Sequence, residues 1–429
     1  MNILVTGSNG FIGKHLMEAL SRRPSVEAIG YDLGTSDAIL EEGLRRAGVI
    51  FHLAGVNRPQ NVEEFKEGNA NFTQTLCERL LSLGRTPLFV LSSSIQAALD
   101  NPYGISKRAA EQAVEDYANK CARLVSSDAD LPAPRSPLFA AIFRLRNVFG
   151  KWCRPNYNSV TATFCHNIAH DLPISISDPS RELELVYIDD VIKAFLGTLE
   201  SRGEQGVGST EAGSLPPVPR LPSEITAPCS FPSVPRSFKT TLGEMAALIR
   251  SFRESRKSLL LPSLDDEFTK RLYATYLSYL EGPEFAYWLD PKTDPRGSLA
   301  EFVKSPTFGQ IFVSRTRPGI TRGNHYHHTK TEKFLVVEGE AVIRFRSVQG
   351  GVESGEQGAK REEQTTLSTP RSSIIEHRVS GREFKVVDIP PGYTHSIENV
   401  GAGELVTLFW ASEIFDPAKP DTYFTPVQT

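Results

Sequence analysis

The chain has few cysteines, and their arrangement excludes two common uses of that residue. It contains five in 429 residues, namely Cys77, Cys121, Cys153, Cys165 and Cys229. An even set at regular spacing would indicate a disulfide framework, whereas a CxxC pair would indicate a structural zinc site. Neither pattern is present, so we expect free thiols in a reducing compartment and a cytoplasmic protein.

The sequence also lacks the features of membrane proteins and nucleic-acid-binding proteins. No apolar run reaches the roughly 20 residues that cross a bilayer, and the opening MNILVTG has neither the basic segment nor the cleavage site of a signal peptide. The net charge is only -4, and the basic residues do not cluster. We therefore expect no membrane partner and no nucleic-acid partner, and the length predicts two or three domains.

A glycine-rich loop follows the first apolar segment. NILVTG has the composition of a buried parallel strand, GSNGFIG follows it at once, and an amphipathic helix is predicted from about Lys14 to Leu20. Strand, glycine turn and helix form the context in which a dinucleotide pyrophosphate binds at a helix N-terminus. The predicted cofactor contacts are Gly7, Asn9, Gly10, Phe11, Ile12 and Gly13, together with Leu53, Ala54 and Gly55 after a later strand.

Asp32 ends the second predicted strand, VEAIGYD, and its position has two interpretations. A carboxylate there can accept hydrogen bonds from the adenosine ribose diol and disfavours a phosphate, which indicates NAD(H). Alternatively, the residue only starts the turn that LGTS continues.

A serine, a tyrosine and a lysine are spaced as a proton-transfer group. The strand PLFVLSSSIQA carries Ser94 near its end, Tyr103 comes nine residues later, and Lys107 lies four beyond on a predicted helix, so the last two share a face. A nearby ammonium and a positive cofactor ring would lower the tyrosine pKa, and Ser94 would hydrogen-bond the substrate oxygen. The alternative is an ordinary surface YxxxK pair.

A second chemical centre is indicated by GITRGNHYHHTKTEKFLVVEG. His325 and His327 are two residues apart, so on a strand they point to one face, and Glu332 can join them if HTKT turns back. His395 follows a Pro-Pro-Gly turn further on. Imidazoles and a carboxylate suit zinc, nickel, iron or manganese. The alternatives are histidines satisfied by ordinary contacts, or a barrel that has these side chains but binds no metal.

The remaining sequence predicts two domains and two insertions. Residues 1–285 form the nucleotide-binding domain, with a Pro/Ser/Gly-rich insertion at 201–237, and residues 286–429 form the second domain. After 201–237 a helix is predicted with Thr240 or Thr241 as its cap, and Glu244 completes a capping box with Thr241. The sequence of the second domain predicts the short strands of a jelly-roll barrel, interrupted by a polar insertion at 349–373.

The first domain resembles the extended short-chain dehydrogenase/reductase family, an α/β Rossmann fold. The resemblance implies a catalytic set of Ser94, Tyr103 and Lys107, the last two also contacting the cofactor. It further implies substrate contacts from Ser94, from the sugar-facing residues Asn147, Asn156, Tyr157 and Asn158, and from Arg181. For Arg144, as for Arg181, a diphosphate contact and a surface salt bridge remain alternatives.

The second domain resembles the cupins, an all-β fold. Gly319, His325, His327, Glu332 and Gly339 match the first cupin motif, and PPGYTHSIEN matches most of the second. The resemblance implies that His325, His327, Glu332 and His395 bind the metal. One departure is Phe384, which occupies the place of the second motif's leading glycine.

Stretches such as HLAGVNRP, DNPYGISK and GNHYHHTKTEKFLVV resemble a family of two-domain enzymes of bacterial capsular polysaccharide biosynthesis. The resemblance implies a UDP-linked 2-acetamido-2,6-dideoxy-4-keto sugar as substrate. The cupin domain, with zinc, would epimerise C3. The first domain would then reduce C4 with NADPH, giving UDP-2-acetamido-2,6-dideoxy-L-talose, a precursor of UDP-N-acetyl-L-fucosamine. NADH is the other cofactor candidate because of Asp32, and a homodimer is expected because cupins often pair.

Three other functions stay open on the sequence. One is a nucleotide-sugar epimerase or dehydratase with a structural cupin, another is a non-catalytic nucleotide-sugar-binding scaffold, and the third is an iron-dependent cupin dioxygenase. For the proton transfers at C3, the candidate side chains are His328, Lys333 and Tyr393.

Overall fold

A computed structural model describes residues 1–126, 138–203, 227–348 and 373–428. The described chain forms two compact units. The first comprises Met1–Arg250 and Arg271–Leu280, and the second comprises Ser251–Lys270 and Glu281–Thr429. The two predicted insertions, 201–237 and 349–373, lie largely outside the described residues.

The first unit contains a parallel sheet and a smaller three-stranded sheet. Its strands are β1 (Asn2–Thr6), β2 (Glu27–Tyr31), β3 (Val49–His52), β4 (Leu88–Ser94), β5 (Ala140–Leu145), β6 (Asn147–Phe149), β7 (Glu182–Tyr187), β8 (Cys229–Ser230) and β9 (Phe238–Thr241). The large sheet has the order β2-β1-β3-β4-β5-β8, and β6-β7-β9 form the small one. β8, of two residues, lies within the predicted 201–237 insertion, so that segment is not a loop throughout as expected, although 231–237 are irregular.

The helices are α1 (Phe11–Ser21), α2 (Asp37–Arg46), α3 (Glu63–Phe65), α4 (Phe72–Ser82), α5 (Pro102–Ser126), α6 (Val160–Ala169), α7 (Ile188–Gly203), α8 (Leu242–Ser258) and α9 (Glu267–Leu277). A π-helical segment, Lys66–Asn71, joins α3 to α4, and Ile95–Ala98 and Gly282–Phe285 are single 3-10 turns. α8 and α9 each run across the division between the two compact units.

Continuous apolar runs explain the large sheet. Ile3, Leu4 and Val5 of β1 are all fully buried, and they alternate between two separate core clusters, one on each face. A strand covered on both faces needs apolar residues at every position, which is why these runs do not alternate. The fold is therefore the predicted α/β Rossmann type.

The second unit is built from antiparallel strands. They are β10 (Lys292–Asp294), β11 (Gly297–Ser305), β12 (Gly309–Thr316), β13 (Thr321–Tyr326), β14 (Glu332–Glu338), β15 (Glu340–Ser347), β16 (Ile375–Ser380), β17 (Val386–Ile389), β18 (Tyr393–Asn399), β19 (Leu405–Ala411) and β20 (Tyr423–Phe424). One sheet has the order β10-β11-β12-β19-β14-β17, and the other has β16-β15-β18-β13-β20. Their buried core includes Phe334, Ile343 and Phe409, as the predicted all-β domain requires.

Two smaller predictions are also confirmed. The five cysteines are free, and the Thr241 hydroxyl accepts from the Glu244 N–H at 3.2 Å while the Glu244 carboxylate accepts from the Thr241 N–H at 2.9 Å. None of the helices in the described ranges has the combined length and apolar character that a membrane crossing requires.

Candidate functional site

The glycine loop of the first unit permits a close approach of three backbone segments. Gly7 has φ +71°, and a Cβ there would lie 2.6 Å from the Ala54 nitrogen. A Cβ on Gly13 would lie 2.0 Å from the Gly7 carbonyl oxygen. Only glycine fits such contacts. The loop therefore leads from β1 into α1, and its three glycines, Gly7, Gly10 and Gly13, line a cavity of about 1380 Å³.

Apart from Arg144, for which a salt bridge was the alternative, every residue predicted to contact cofactor or substrate in the first domain lines this one cavity. On the cofactor side these are Gly7, Asn9, Gly10, Phe11, Ile12, Gly13, Asp32, Leu53, Ala54, Gly55, Tyr103 and Lys107; on the substrate side they are Ser94, Asn147, Asn156, Tyr157, Asn158 and Arg181. Residues that follow β1, β2, β3, β4 and β5 thus meet at the carboxyl edge of the large sheet, the usual ligand site of such folds.

The structure leaves both interpretations of Asp32 open. Its Oδ2 accepts from the Asn9 N–H at 2.7 Å, and its Oδ1 accepts from the Leu33 N–H at 2.8 Å. The carboxylate therefore organises the turn and the glycine loop, and it also borders the cavity. Its negative charge lies where the adenosine ribose is expected.

The proton-transfer group is assembled from β4 and α5. Tyr103 and Lys107 lie on the first turns of α5, and the Lys107 Nζ is 5.9 Å from the centre of the Tyr103 ring. Nζ donates to the Ser92 carbonyl at 3.3 Å, which fixes the lysine beneath the end of β4. Ser94 lies at that same strand end, with its hydroxyl accepting from the Gln96 N–H at 3.2 Å.

Burial controls the protonation of this group. Burial raises the pKa of Tyr103, and its hydrogen bond with Ser94 acts in the opposite direction without reversing the shift. The protein groups alone therefore do not produce the lowered pKa that the sequence suggested. Burial also lowers the pKa of Lys107 to about 8, although the nearby Glu111 partly opposes this.

Glu111 is a residue that sequence reasoning missed. It lies one turn beyond Lys107 on α5 and is only 3% exposed. Its carboxylate accepts from Ser93 Oγ at 2.5 Å and from two nitrogens of Arg144, at 2.9 and 2.6 Å. Arg144 thus corresponds to the salt-bridge alternative and not to a diphosphate contact. Glu111 follows Lys107 by four residues, as Lys107 follows Tyr103. This helical spacing could have indicated from the sequence that Glu111 shares their face.

The cluster in the second unit comes from two sheets. His325, the next-to-last residue of β13, lies directly opposite His395 of β18, and Glu332 begins β14 of the other sheet. A bulge between Gly323 and His325 re-aims the end of β13. One ligand atom from each of His325, His327, Glu332 and His395 lies within 4.8 Å of the other three.

The side chains of this cluster fit a divalent metal ion. Nε2 of both His327 and His395 is buried without a hydrogen-bond partner among the described residues, and each lies 3.4 Å from Glu332 Oε2. Burial, with the neighbouring histidines, lowers the pKa of His325 to about 4. Burial alone would raise the pKa of Glu332, but His327 and His395 reverse this and leave the pKa well below its usual range. Imidazoles beside a carboxylate are ligands that zinc accepts.

Asp421 is a second residue that sequence reasoning missed. Its carboxylate accepts from the N–H groups of His328, Thr329 and Lys330 at 2.8, 2.7 and 2.8 Å. These hydrogen bonds keep the pKa of Asp421 well below its usual range, against the opposing effect of burial. Its carbonyl accepts from His327 Nδ1, which leaves Nε2 as the nitrogen with a free lone pair.

The predicted acid-base candidates in the second unit lie away from its cavity. The cavity, of about 1060 Å³, is lined by His325, Glu332 and the buried Lys330. The described residues that line this cavity do not include His328, Lys333 or Tyr393. Lys333 instead pairs with Asp388, and the His328 ring packs 4.8 Å from that of Tyr423.

The fold and first site define a member of the epimerase/dehydratase class of nicotinamide-dependent enzymes. The NAD dependent epimerase/dehydratase family matches residues 3–209, and the polysaccharide biosynthesis C-terminal domain matches residues 292–371 and 364–423. A nicotinamide cofactor is therefore assigned to the first unit.

Full-length relatives define the family more narrowly. A Pseudomonas aeruginosa protein named UDP-2-acetamido-2,6-beta-L-arabino-hexul-4-ose reductase is 40% identical over 423 residues, which is 99% of this chain and 98% of the relative. The capsular polysaccharide assembling protein CapF from Staphylococcus aureus is 41% identical with a TM-score of 0.80, and both chains are covered completely. A CapF structure with the inhibitor 3-isopropenyl-tropolone is 38% identical with a TM-score of 0.75, also with complete coverage. The chain belongs to the CapF family.

Proposed function

We propose that this chain is a bifunctional nucleotide-sugar enzyme of capsule or surface polysaccharide biosynthesis. It first epimerises C3 of a UDP-2-acetamido-2,6-dideoxy-4-keto-hexose in the second unit. It then reduces the C4 ketone in the first unit, giving UDP-2-acetamido-2,6-dideoxy-L-talose. The observation that carries the reductase activity is the placement of Ser94, Tyr103 and Lys107 on the same cavity as the glycine loop, together with a full-length relative named as a UDP-4-keto-sugar reductase.

In the reduction, the protein supplies a proton and holds the ketone. The bound dihydronicotinamide is the source of the hydride. The Tyr103 hydroxyl donates its proton to the C4 oxygen, which suits a phenol whose pKa is raised by burial. Ser94 donates a hydrogen bond to the same oxygen, and the Lys107 ammonium, fixed by the Ser92 carbonyl, stabilises the phenolate that remains.

In the epimerisation, a proton leaves C3 and returns on the opposite face. A divalent ion held by His325, His327, Glu332 and His395 would supply Lewis acidity for the ketone. The protein's own contribution is a cavity beside this cluster and a cation, Lys330, which is 7% exposed and donates to Thr422 Oγ1 at 3.1 Å. Its positive charge favours the negative charge that develops on the C4 oxygen as the proton leaves.

The choice between NADPH and NADH is a separate proposal. The family resemblance supports NADPH, whereas the Asp32 carboxylate at the cavity disfavours a ribose phosphate. We propose NADPH, with Asp32 held in its turn by Asn9 and Leu33. Mass spectrometry of UDP-4-keto-sugar turnover with each cofactor tests this, and a kcat/KM that is higher with NADH would contradict it.

Replacing Tyr103 with phenylalanine separates the two activities. Loss of the proton donor should slow reduction by about 10²–10⁴-fold, whereas deuterium exchange at C3 should continue at the wild-type rate. Both are followed in one mass-spectrometric assay in D₂O. The assignment of roles fails if the variant reduces normally, and the epimerase proposal fails if the wild-type enzyme incorporates no deuterium at C3.

A further inference from the structure

The loop that joins β6 to α6 is held against the helix of the glycine loop. His15, on the second turn of α1 and only 4% exposed, donates from Nε2 to the Lys151 carbonyl oxygen at 2.9 Å. Two residues further along the loop, the Cys153 carbonyl oxygen accepts from the Tyr279 hydroxyl at 2.6 Å. The backbone is therefore fixed by a hydrogen bond on each side of Trp152.

Trp152 has a backbone conformation that large residues rarely adopt. Its φ is +67°, in the left-handed region, where residues other than glycine are uncommon. Such conformations persist only where the surrounding structure enforces them, and they cluster at ligand-binding and active sites. The Trp152 ring lies 4.5 Å, centre to centre, from that of His15, and the Lys151 Nζ is 4.9 Å from its centre. These contacts hold the indole beside α1.

The indole of Trp152 is only partly covered by the protein. It is 50% exposed and lines the cavity of about 1380 Å³, as do Gly10 and Phe11 at the start of α1. In the part of the chain that the structure describes, its Nε1 donates to no acceptor, whereas Nε1 of Trp410 donates to the Phe308 carbonyl oxygen at 2.6 Å. An indole N–H can only donate, so that of Trp152 requires an acceptor in the cavity or in water.

The position of this indole favours the cofactor as the ligand that supplies the acceptor. The pyrophosphate of a bound dinucleotide lies at the N-terminus of the helix that follows the glycine loop. Trp152 packs on His15 of that same helix, and phosphate oxygens are strong hydrogen-bond acceptors. The predicted sugar contacts Asn156, Tyr157 and Asn158 come later in the loop.

We propose that Trp152 is a binding residue for the nicotinamide dinucleotide. Its indole N–H donates to a phosphate oxygen of the bound cofactor, and its ring shields the pyrophosphate from water. The contact with His15 places this cover on the helix that binds the pyrophosphate. The inference rests on the nicotinamide cofactor of the first unit, and neither the epimerisation at C3 nor the choice between NADPH and NADH enters it.

Quenching of tryptophan fluorescence by acrylamide measures how far the cofactor covers Trp152. The chain has three tryptophans, and the change Trp288→Phe removes the one that is 99% exposed. In this full-length background, saturating NADP⁺ should lower the quenching constant, and the further change Trp152→Phe should abolish that decrease. The oxidised cofactor is used because the reduced nicotinamide absorbs tryptophan emission. NAD⁺ is measured in parallel, and equilibrium dialysis confirms saturation, so that a wrong choice of cofactor is not mistaken for the absence of the contact.

The affinities for dinucleotide and for UDP separate this contact from a structural role. Relative to the Trp288→Phe background, Trp152→Phe should bind the dinucleotide about tenfold more weakly or worse, because it loses a hydrogen bond to a charged group. UDP should bind equally well to both proteins. A parallel loss of both affinities would mean that Trp152 only maintains the loop, and the inference would be wrong. It is also wrong if the variant keeps the dinucleotide affinity, or if UDP and not the dinucleotide protects Trp152 from acrylamide.

Discussion

Replacing Asp421 with alanine should weaken zinc binding although it changes none of the four predicted metal-binding residues. The change removes the acceptor for three backbone N–H groups in the turn between His327 and Glu332, and also for the Thr329 hydroxyl at 3.0 Å. A lost side-chain cap of this kind costs about 0.5–2 kcal/mol, and residues that orient metal ligands typically contribute about 10–100-fold in metal affinity. Because 1.4 kcal/mol corresponds to about tenfold, both routes indicate a loss of about tenfold or somewhat more.

Competition against a chromophoric chelator measures this affinity directly. Asp421→Asn should lose less, since an amide keeps one acceptor oxygen for the turn. The control is Asp416→Ala in the same segment, whose Oδ1 accepts from the local Ala418 N–H at 2.9 Å. If Asp421→Ala binds zinc within twofold of wild type, the turn does not depend on this carboxylate and the reasoning is wrong.

Three further predictions concern stability and metal removal. Glu111→Gln removes the charge that pairs a buried carboxylate with the half-exposed Arg144 and should destabilise the protein by about 1–3 kcal/mol in urea unfolding, whereas the exposed neighbour change Asp116→Asn should cost much less. Lys107→Met should abolish reduction yet stabilise the fold at pH 7 by at most about 3 kcal/mol, because the folded pKa is about 8 and the unfolded one about 10.4. Between those values the unfolded chain binds more protons, so wild-type stability rises with pH and the advantage of the methionine should vanish above about pH 10; equal stabilities at pH 7 would contradict this. Chelation should stop C3 exchange and lower the melting temperature of the second unit, while reduction of a substrate already epimerised at C3 continues; a parallel loss of both activities would show that the two sites are not independent.

The parts of the structure that local patterns encode could be predicted closely. β11 covers Gly297–Ser305, which is the segment GSLAEFVKS expected as a strand, and Tyr103 and Lys107 lie on the helix that their spacing required. Both predictions rest on side chains within a few residues of each other, where strand and helix periodicity determine which groups meet.

Contacts between distant segments could not be predicted in this way. Asp421 lies 94 residues from His327, and Arg144 lies 33 residues from Glu111. Nothing near either pair in the sequence indicates its partner, because the pairing is created by the packing of whole elements. The same holds for Arg256 and Lys257, which end a helix assigned to the first domain but line a cavity of the second unit.

The position of the histidine and glutamate cluster has a mechanical consequence. His325 and His395 belong to one sheet of the second unit, and Glu332 belongs to the other. The cysteines of the described residues form no cross-link. One metal ion bound by this cluster would therefore connect the two sheets of the barrel. The metal concentration would then determine both the rate of the reaction and the time for which the second unit resists proteolysis.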